Sequence, residues 1–582
     1  MFEYLFRSFL PLYNPIGFGA SDWVELFVAL LIVALMLLRH WIEPLARKLA
    51  ERPGWSMLAL ALLPVVLRLA LLPSHPIPVP RGADDFSYIL LGDTLAHFRL
   101  ANPPHPLHQF FEGVFTLQEP TYSSMYPLGQ GIVLALGQLI FGLPWAGVVL
   151  SIAAMCALCY WMLRAWVPPL WALAGGVLAA LEFGPLSQWM NCYWGGAVAA
   201  CSGCLVFGAL PRLRENWRTR DAALLGAGMG IQVITRPFES IFMLLGVLMF
   251  FAPAARPRKE WGRLARAAAI SALVASPVIP LILFHNKAVT GSWTTLPYQL
   301  SRYQYGIPQT FTFQPNPVPH KPLTMEQQQD YRAQVTIHGN EPLTLGGYLG
   351  LLGNSVRYYR FFFLPALYLA LPVFLITIRQ YRFLWVVLCL LIYALGTNFD
   401  PYLWPHYIAA ILSLCLLMSV KGLERLSEWK PVGRQVAAVI LLLCAAHFGI
   451  WYGLHATGSE RLMTGLGQYE TWDYINWGDP EGRIQINERL AEEPGRQLVF
   501  IRYWPSHRFR TWTQNAADID RARVVWALDL GPSENEKLLR YYPDRTAWLL
   551  EPDARPPQLT PYRQEPKPEQ PLTDANPFEP VK

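Results

Sequence analysis

Apolar runs of about 20 residues recur along the chain, each closed by arginines, prolines or a polar loop. They predict membrane-spanning helices at roughly 22–39, 56–73, 145–163, 168–183, 194–210, 221–235, 240–253, 267–284, 361–378, 383–399, 406–420 and 435–453. A helix rising about 1.5 Å per residue needs about 20 residues to cross about 30 Å of hydrocarbon, so the shorter runs are short for a span. Between them lie two long polar-apolar mixtures, 74–144 and 285–360, and a C-terminal segment from about 455. There the period changes. GRIQINERLAEEPGRQLVFIRYW predicts a helix then a strand, RVVWALDL a strand, ENEKLLRYY a helix and TAWLLEP a strand, which together make a small α/β domain over 455–551. Proline-rich 552–582 is expected to be a disordered tail. The expected fold class is an all-α polytopic membrane bundle of about twelve helices over 1–454, with this small extracytoplasmic domain appended.

Basic residues orient the bundle. Clusters at Arg39/Arg47/Lys48/Arg52, Arg164, Arg212/Arg214/Arg218/Arg220, Arg256/Arg258/Lys259/Arg263/Arg266, Arg379/Arg382 and Lys421/Arg425/Lys430/Arg434 all fall on one side of the twelve spans. That side is assigned to the cytoplasm. The assignment requires that 127–143 (PLGQGIVLALGQLIFGL) lies at, or dips into, the outer surface without crossing. Both termini and the three polar parts then face outward, from a multi-pass protein of the plasma (inner) membrane.

Composition agrees. Charged residues are 15% of the chain against about 25% in soluble domains, while 50 prolines and 22 tryptophans suit broken helices and interfacial aromatic belts. A net charge of +6 without a basic tract argues against nucleic acid. The eight cysteines, Cys156/Cys159 and Cys201/Cys204 among them, sit in or beside apolar runs and read as packing residues. The start, MFEYLFRSFLPLYNP, has no clear apolar run with a small-residue cleavage site, so no cleavable signal is expected.

Ionisable groups at the rim of a membrane bundle are the strongest pointers to chemistry, because burying them is expensive. In PVPRGADDFSYILLGDTLAHFRL, Asp84 and Asp85 open an amphipathic helix expected to turn Phe86, Ile89, Leu90 and Leu95 toward the membrane. The pair serves either as a helix cap or as catalytic carboxylates near the lipid head groups. Arg236, with Glu239 one turn on, occupies an outward apex in ITRPFES, as an ion pair or as a phosphate clamp. Lys287 in FHNKAVTGSW either snorkels or binds, and Arg302 and Tyr303 in QLSRYQYG are further candidates. His406 in LWPHY is an interfacial packing residue or a ligand for phosphate or sugar. Trp189, Asn191, Tyr193 and Trp194 in WMNCYWGG suit an aromatic belt or carbohydrate stacking. His105 and His108 have a spacing that invites a metal, but the intervening proline and the lack of a third ligand argue against one.

ADDFSY, a short helix, then YPLGQG before an apolar helix resembles the first extracytoplasmic loop of GT-C glycosyltransferases. Within that superfamily it is most similar to the bacterial group related to lipid A aminoarabinose transferase and to protein O-mannosyltransferases. The resemblance covers roughly 80–250 and weakens to a pattern beyond. It implies an integral-membrane transferase that moves a sugar from a polyprenyl-phosphate carrier to an envelope glycan, lipid or protein, with inversion at the outer face and with no cofactor. It makes Asp84 the general base and lets Asp85 orient the acceptor or a cation; Tyr126, Arg236, Glu239, Lys287, Arg302 and His406 are expected in substrate binding from their own places in the sequence. No metal is expected. One departure stands out: the turn that often carries a lysine before its prolines reads Ser123-Ser124-Met125-Tyr126-Pro127, and Met125 cannot neutralise a leaving phosphate. Another cation does that work, or activity is altered. The competing readings are a transporter or flippase of lipid-linked glycans, which calls for charges deep in several spans and for repeat symmetry, and a non-catalytic glycan-binding scaffold.

Overall fold

Prolines and glycines set where the apolar runs become helices. A computed structural model describes residues 20–339, 343–457, 482–507 and 510–563. The helices in chain order begin with α1 (Ala20–Ala50), α2 (Pro53–Ala70), α3 (Ala83–Ala96), α4 (Leu128–Phe141), α5 (Pro144–Leu163), α6 (Pro169–Phe183) and α7 (Ala197–Asn216). There follow α8 (Thr219–Thr235), α9 (Pro237–Ala255), α10 (Trp261–Ala275), α11 (Val278–Thr290), α12 (Pro297–Tyr305), α13 (Met325–His338) and α14 (Leu345–Ser355). The bundle closes with α15 (Tyr381–Thr397), α16 (Leu412–Ser427) and α17 (Val432–Thr457). Pro53, Pro144, Pro169, Pro237 and Pro297 each stand in the first turn of their helix, where a missing N–H costs nothing.

Six described helices are long and apolar enough to cross a membrane: Pro53–Ala70, Pro144–Leu163, Ala197–Asn216, Pro237–Ala255, the run Arg258–Thr290, and Val432–Thr457. Two bent pairs raise this to eight, Leu26–Arg39 with Trp41–Ala50 (65°) and Leu345–Phe362 with Pro365–Arg379 (112°). Among the described residues the count of about twelve is therefore not confirmed. Leu128–Phe141, Pro169–Phe183 and Tyr381–Thr397 are apolar but shorter, and the run expected as a span at 361–378 is broken at Pro365, which disfavours helix in the residue before it. The segment 127–143 becomes α4, whose 14 residues reach about 21 Å, less than a bilayer core. The eight cysteines are free and buried in packing, with Cys159 and Cys204 sulfurs 3.6 Å apart.

The C-terminal segment follows its predicted order: α18 (Arg483–Glu492), β3 (Arg496–Ile501), β4 (Val524–Leu528), α19 (Pro532–Tyr541) and β5 (Arg545–Glu551). Strands β1 (Thr116–Leu117) and β2 (Ser123–Ser124) make a small hairpin in the first loop. The sheet order is β4-β3-β5-β6, the first three strands parallel, with Leu498 level with Val525 on one side and Ala547 on the other. The expected disordered tail is corrected at its start. Gln558–Pro561 forms β6, antiparallel to β5, because Leu559 packs inward opposite Leu550. Residues 564–582 and the amino terminus, expected outside, lie beyond the described residues.

Helix α3 is a second correction. Ile89 and Leu95, expected to face the membrane, pack instead on the bundle core, and Leu90 joins Phe110, Phe111 and Tyr122 in a core shared with Leu498, Phe500, Val525 and Leu538 of the C-terminal sheet. Phe86 is covered by the Arg483 guanidinium at 4.9 Å. The apolar stripe was assigned to lipid because the protein surface that covers it lies some 400 residues later. Polar contacts fasten the same joint: Tyr122 Oη donates to the Asn515 carbonyl (3.0 Å), and Asp93 Oδ2 accepts from the Ala517 amide (2.7 Å). His105 Nε2 lies 3.1 Å from Tyr542 Oη and 3.3 Å from Asp520 Oδ1. Phe110 is fully buried at the centre of this joint, so Phe110→Ala should destabilise it by about 3–5 kcal/mol. Thermal unfolding should then show the C-terminal domain melting before the bundle.

Candidate active site

The sequence before α3 cannot be helical: Pro76, Pro78 and Pro80 hold it extended up to Gly82. Arg68, buried in α2, catches this segment. It donates to the carbonyls of His75 (2.9 Å) and Pro76 (3.0 Å) and to Asn191 Oδ1 (2.9 Å), while Tyr193 Oη donates to the Pro78 carbonyl (2.9 Å). Asp85 completes the clasp. Its Oδ1 accepts from the Tyr193 amide (2.8 Å), and its Oδ2 from the amides of Arg81 (3.1 Å) and Gly82 (3.3 Å). The acidic pair therefore divides the two roles left open above. Asp85 is buried with both oxygens bonded to backbone amides, and Asp84 faces a cavity.

That cavity, about 550 Å³, is built from the loop ends of the helices. Asp84, Tyr126, Arg236, Glu239, Arg302 and His406, six residues expected from sequence at separate places, all line it. Tyr126 Oη donates a hydrogen bond to Asp84 Oδ1, and the Tyr126 ring stacks on Tyr88 with centroids 4.2 Å apart. Gly129 lets the start of α4 lie against the end of α8, since a Cβ there would meet Thr235 Oγ1 at 2.0 Å and its Cα at 2.9 Å. This close approach holds Tyr126 beside Arg236. The Arg236 guanidinium lies over the Tyr407 ring at 4.5 Å, and among the described residues no carboxylate pairs with it within 4 Å. The expected ion pair with Glu239 is thus not made, and the guanidinium donors remain directed to the chamber.

Burial pushes the Asp84 carboxyl up to about 6; the Tyr126 hydrogen bond and the Arg236 charge oppose the shift, and neighbouring Asp85 adds to it. The group is ionised above about pH 6 and still basic enough to take a proton. Removing the phenol in Tyr126→Phe takes away a bond that favours the carboxylate. The acid limb of any Asp84-dependent activity should then move to higher pH, by about one unit, as read from a kcat/KM–pH profile.

The remaining expectations separate. Arg302 turns much of its fork inward, Nε to the Pro308 carbonyl (3.2 Å) and a terminal nitrogen to that of Gln309 (2.7 Å), so it shapes the cavity wall. Tyr303 is exposed and stacks on His320. Lys287 lies outside the cavity: its Nζ donates to the Gly291 carbonyl (2.6 Å) at the end of its own helix. His406 packs edge-on to Trp194 (4.6 Å) and Tyr407 (4.5 Å) on the cavity wall. Of the WMNCYWGG group only Trp194 lines the chamber, Trp189 being sealed among Phe183, Phe361 and Phe362. His108 bridges Glu112 (3.3 Å) and Glu119 (3.7 Å), away from His105. Among the described residues, no group of three or more His, Cys, Asp or Glu side chains is placed to hold a metal ion. Met125 is buried at the cavity edge, and Arg236 lines the same chamber.

Sequence reading missed Glu326, Asp330, Asp400, Tyr298, Gln309 and Gln334, all on the wall. Asp400 accepts from the Tyr402 amide (2.8 Å) and Gln309 Nε2 (3.2 Å), and its place six residues before His406 was the signal that could have found it. Burial, then the nearby Asp84 charge, raise Asp330 to about 7.

Apolar helices that end in a chamber holding a carboxylate and an unpaired guanidinium define a multi-pass membrane protein with a polar site at one end of its bundle. Among solved structures it is similar to ArnT from Cupriavidus metallidurans in the apo state (13% identity, 84% of this chain and 92% of that one, TM-score 0.47). It is also similar to the same protein bound to undecaprenyl phosphate (13% identity, 86% and 93%, TM-score 0.44). A third match is the archaeal oligosaccharyltransferase AglB from Archaeoglobus fulgidus in complex with an inhibitory peptide and a dolichol-phosphate (10% identity, 84% and 69%, TM-score 0.40). No family model and no curated protein matches the chain. The likeness gives no residue a role, so the chemistry below rests on this chain's own cavity.

Proposed function

We propose that the chain is an integral-membrane glycosyltransferase that moves a sugar from a polyprenyl-phosphate-linked donor to an envelope acceptor, with inversion, at the outer face of the inner membrane. One observation carries the reading: Asp84, a carboxylate with one oxygen held by Tyr126, shares a single cavity with Arg236, whose guanidinium has no carboxylate partner there. The free Asp84 oxygen takes the proton of the acceptor hydroxyl while that oxygen bonds to the anomeric carbon. The bond from that carbon to the phosphate oxygen breaks on the opposite side, which inverts the centre. The electron pair leaves with the carrier phosphate, and Arg236 donates to its oxygens as charge develops.

The orientation has its own support. Helices α7, α8, α9 and α15 each run between the cavity end and a basic cluster: Arg212–Arg220 joins α7 to α8, Arg256–Arg266 follows α9, and Arg379/Arg382 precede or open α15. Arginines gather on the cytoplasmic side, which supports an outward-facing chamber. The test is release of free polyprenyl phosphate by the full chain in lipid nanodiscs, with a panel of polyprenyl-phosphate sugars and an envelope extract as acceptor. No release with any donor, while the same lipids cross vesicle membranes, would replace the transferase by a flippase.

A further inference from the structure

The loop after β3 leaves the C-terminal sheet and reaches the roof of the cavity, where Thr511 lines it. His507 on that loop is 3% exposed and sits between two carboxylates. Its Nδ1 is 2.8 Å from Asp553 Oδ1, just past β5, and its Nε2 is 3.3 Å from Glu326 Oε1, in the first turn of α13. Glu326 is 5% exposed and lines the cavity, yet its second oxygen, Oε2, meets no hydrogen-bond donor. Leaving a buried carboxylate oxygen unpaired costs more than about 1–3 kcal/mol, so an unpaired oxygen on a cavity-lining residue marks a place for a ligand's donor.

Asp330 and Gln334 follow at four-residue steps on the same helical face and also line the cavity. Gln334 spends its amide N–H on Asp330 Oδ2 and leaves its own Oε1 without a donor. The face therefore offers acceptors, which suits a hydroxyl and repels a phosphate. It lies on the roof, on a different element from Arg236 between α8 and α9.

We infer that Glu326, oriented by His507 and Asp553 of the C-terminal domain, binds a substrate hydroxyl through its free Oε2, with Asp330 and Gln334 continuing the subsite along α13. The inference rests on the transferase reading for the owner of the hydroxyl, which is either the transferred sugar or the acceptor. Glu326 is a binding residue and His507 a positioning residue acting through it. Among the described residues, the groups facing His507 are Glu326, Asp553 and the Tyr503 ring (4.0 Å), with Arg483 acting on Tyr503 from further off. Burial disfavours the charged ring, but the two carboxylates outweigh it and raise His507 to about 9. That is above the unfolded value, so the clasp is fully present below about pH 6.5 and is lost as pH rises through about 9.

The test uses the full chain in nanodiscs, with Glu326→Gln, Glu326→Asp and His507→Gln beside wild type. Steady-state carrier release should show KM raised about tenfold in Glu326→Gln, partly restored in Glu326→Asp, with kcat within about twofold. The substrate whose KM moves, donor or acceptor, owns the hydroxyl. In His507→Gln the same KM rises and no longer climbs between pH 8 and 10, as the wild-type value should.

Hydrogen exchange needs no turnover. Amides of 325–338 should exchange about tenfold faster in His507→Gln while the strands of the C-terminal sheet stay protected. Undecaprenyl-phosphate hexose should slow exchange of 325–338 in wild type and not in Glu326→Gln. Unchanged KM for both substrates and no ligand protection overturn the subsite; wild-type exchange of 325–338 in His507→Gln overturns the clasp. Protection that depends on Glu326 without carrier release by any protein upholds the subsite and removes the transferase reading instead.

Discussion

Asp84→Asn should slow release of carrier phosphate by about 10³-fold while leaving the fold and its melting temperature unchanged, because general-base catalysis contributes about 10²–10⁴ and the amide is nearly isosteric. Tyr126 Oη keeps an acceptor in the asparagine Oδ1, so the packing of Tyr126 on Tyr88 survives the change. Asp85→Asn is the discriminating companion. Its carboxylate accepts three backbone N–H bonds with two oxygens, and an asparagine presents an N–H₂ to amides already pointing at it. It should lower the melting temperature and lose activity through misfolding of 76–85. Full carrier release by Asp84→Asn at matched folding would remove Asp84 as the base.

Arg236→Gln is expected to cost about 10²–10³ in kcat, the scale seen when one donor to a developing oxyanion is removed. Competitive inhibition by free undecaprenyl phosphate, measured by its inhibition constant, should weaken with it. Arg236→Lys should recover part of the charge effect but lose the planar, two-point contact with phosphate oxygens and the stacking on Tyr407. Equal inhibition in wild type and Arg236→Gln would move the phosphate elsewhere in the cavity. The result also bears on Met125: if Arg236 supplies the cation absent from that turn, Met125→Lys adds little in wild type and rescues release in Arg236→Gln.

Much of the chamber was legible because ionisable residues at the ends of apolar helices are rare. Asp84, Arg236, Glu239 and His406 each stood out in that way, although they span more than 300 positions of sequence. What pattern could not settle was direction. Asp84 and Asp85 differ by one step of a helix, about 100° around its axis, and only the backbone amides of Arg81, Gly82 and Tyr193 decide which one turns inward. Lys287 stayed undecided for the mirror-image reason, since a long flexible side chain near a helix end can reach its own carbonyls as easily as a ligand. Glu326 and Asp330 were invisible in MEQQQDYRAQ, a polar stretch where an acid is unremarkable until a cavity covers it. The helices differ from the expected spans wherever Pro365 and shortness break a run that hydropathy alone joins. In the tail, by contrast, period-2 and period-3.6 patterns alternate cleanly, and α18 to β5 fell where expected.

The core that Leu90, Phe110 and Phe111 share with Leu498 and Phe500 has a consequence for how such proteins can be recombined. The first outer loop is made early in synthesis and the sheet that completes its packing comes last, so the loop's apolar side waits on nearly the whole chain. A chimera that exchanges the carboxyl-terminal domain alone would pair two surfaces never selected together, and would lose the loop's shape before it gained a new specificity. The heritable unit here is the loop with its distant sheet, and grafting must carry both.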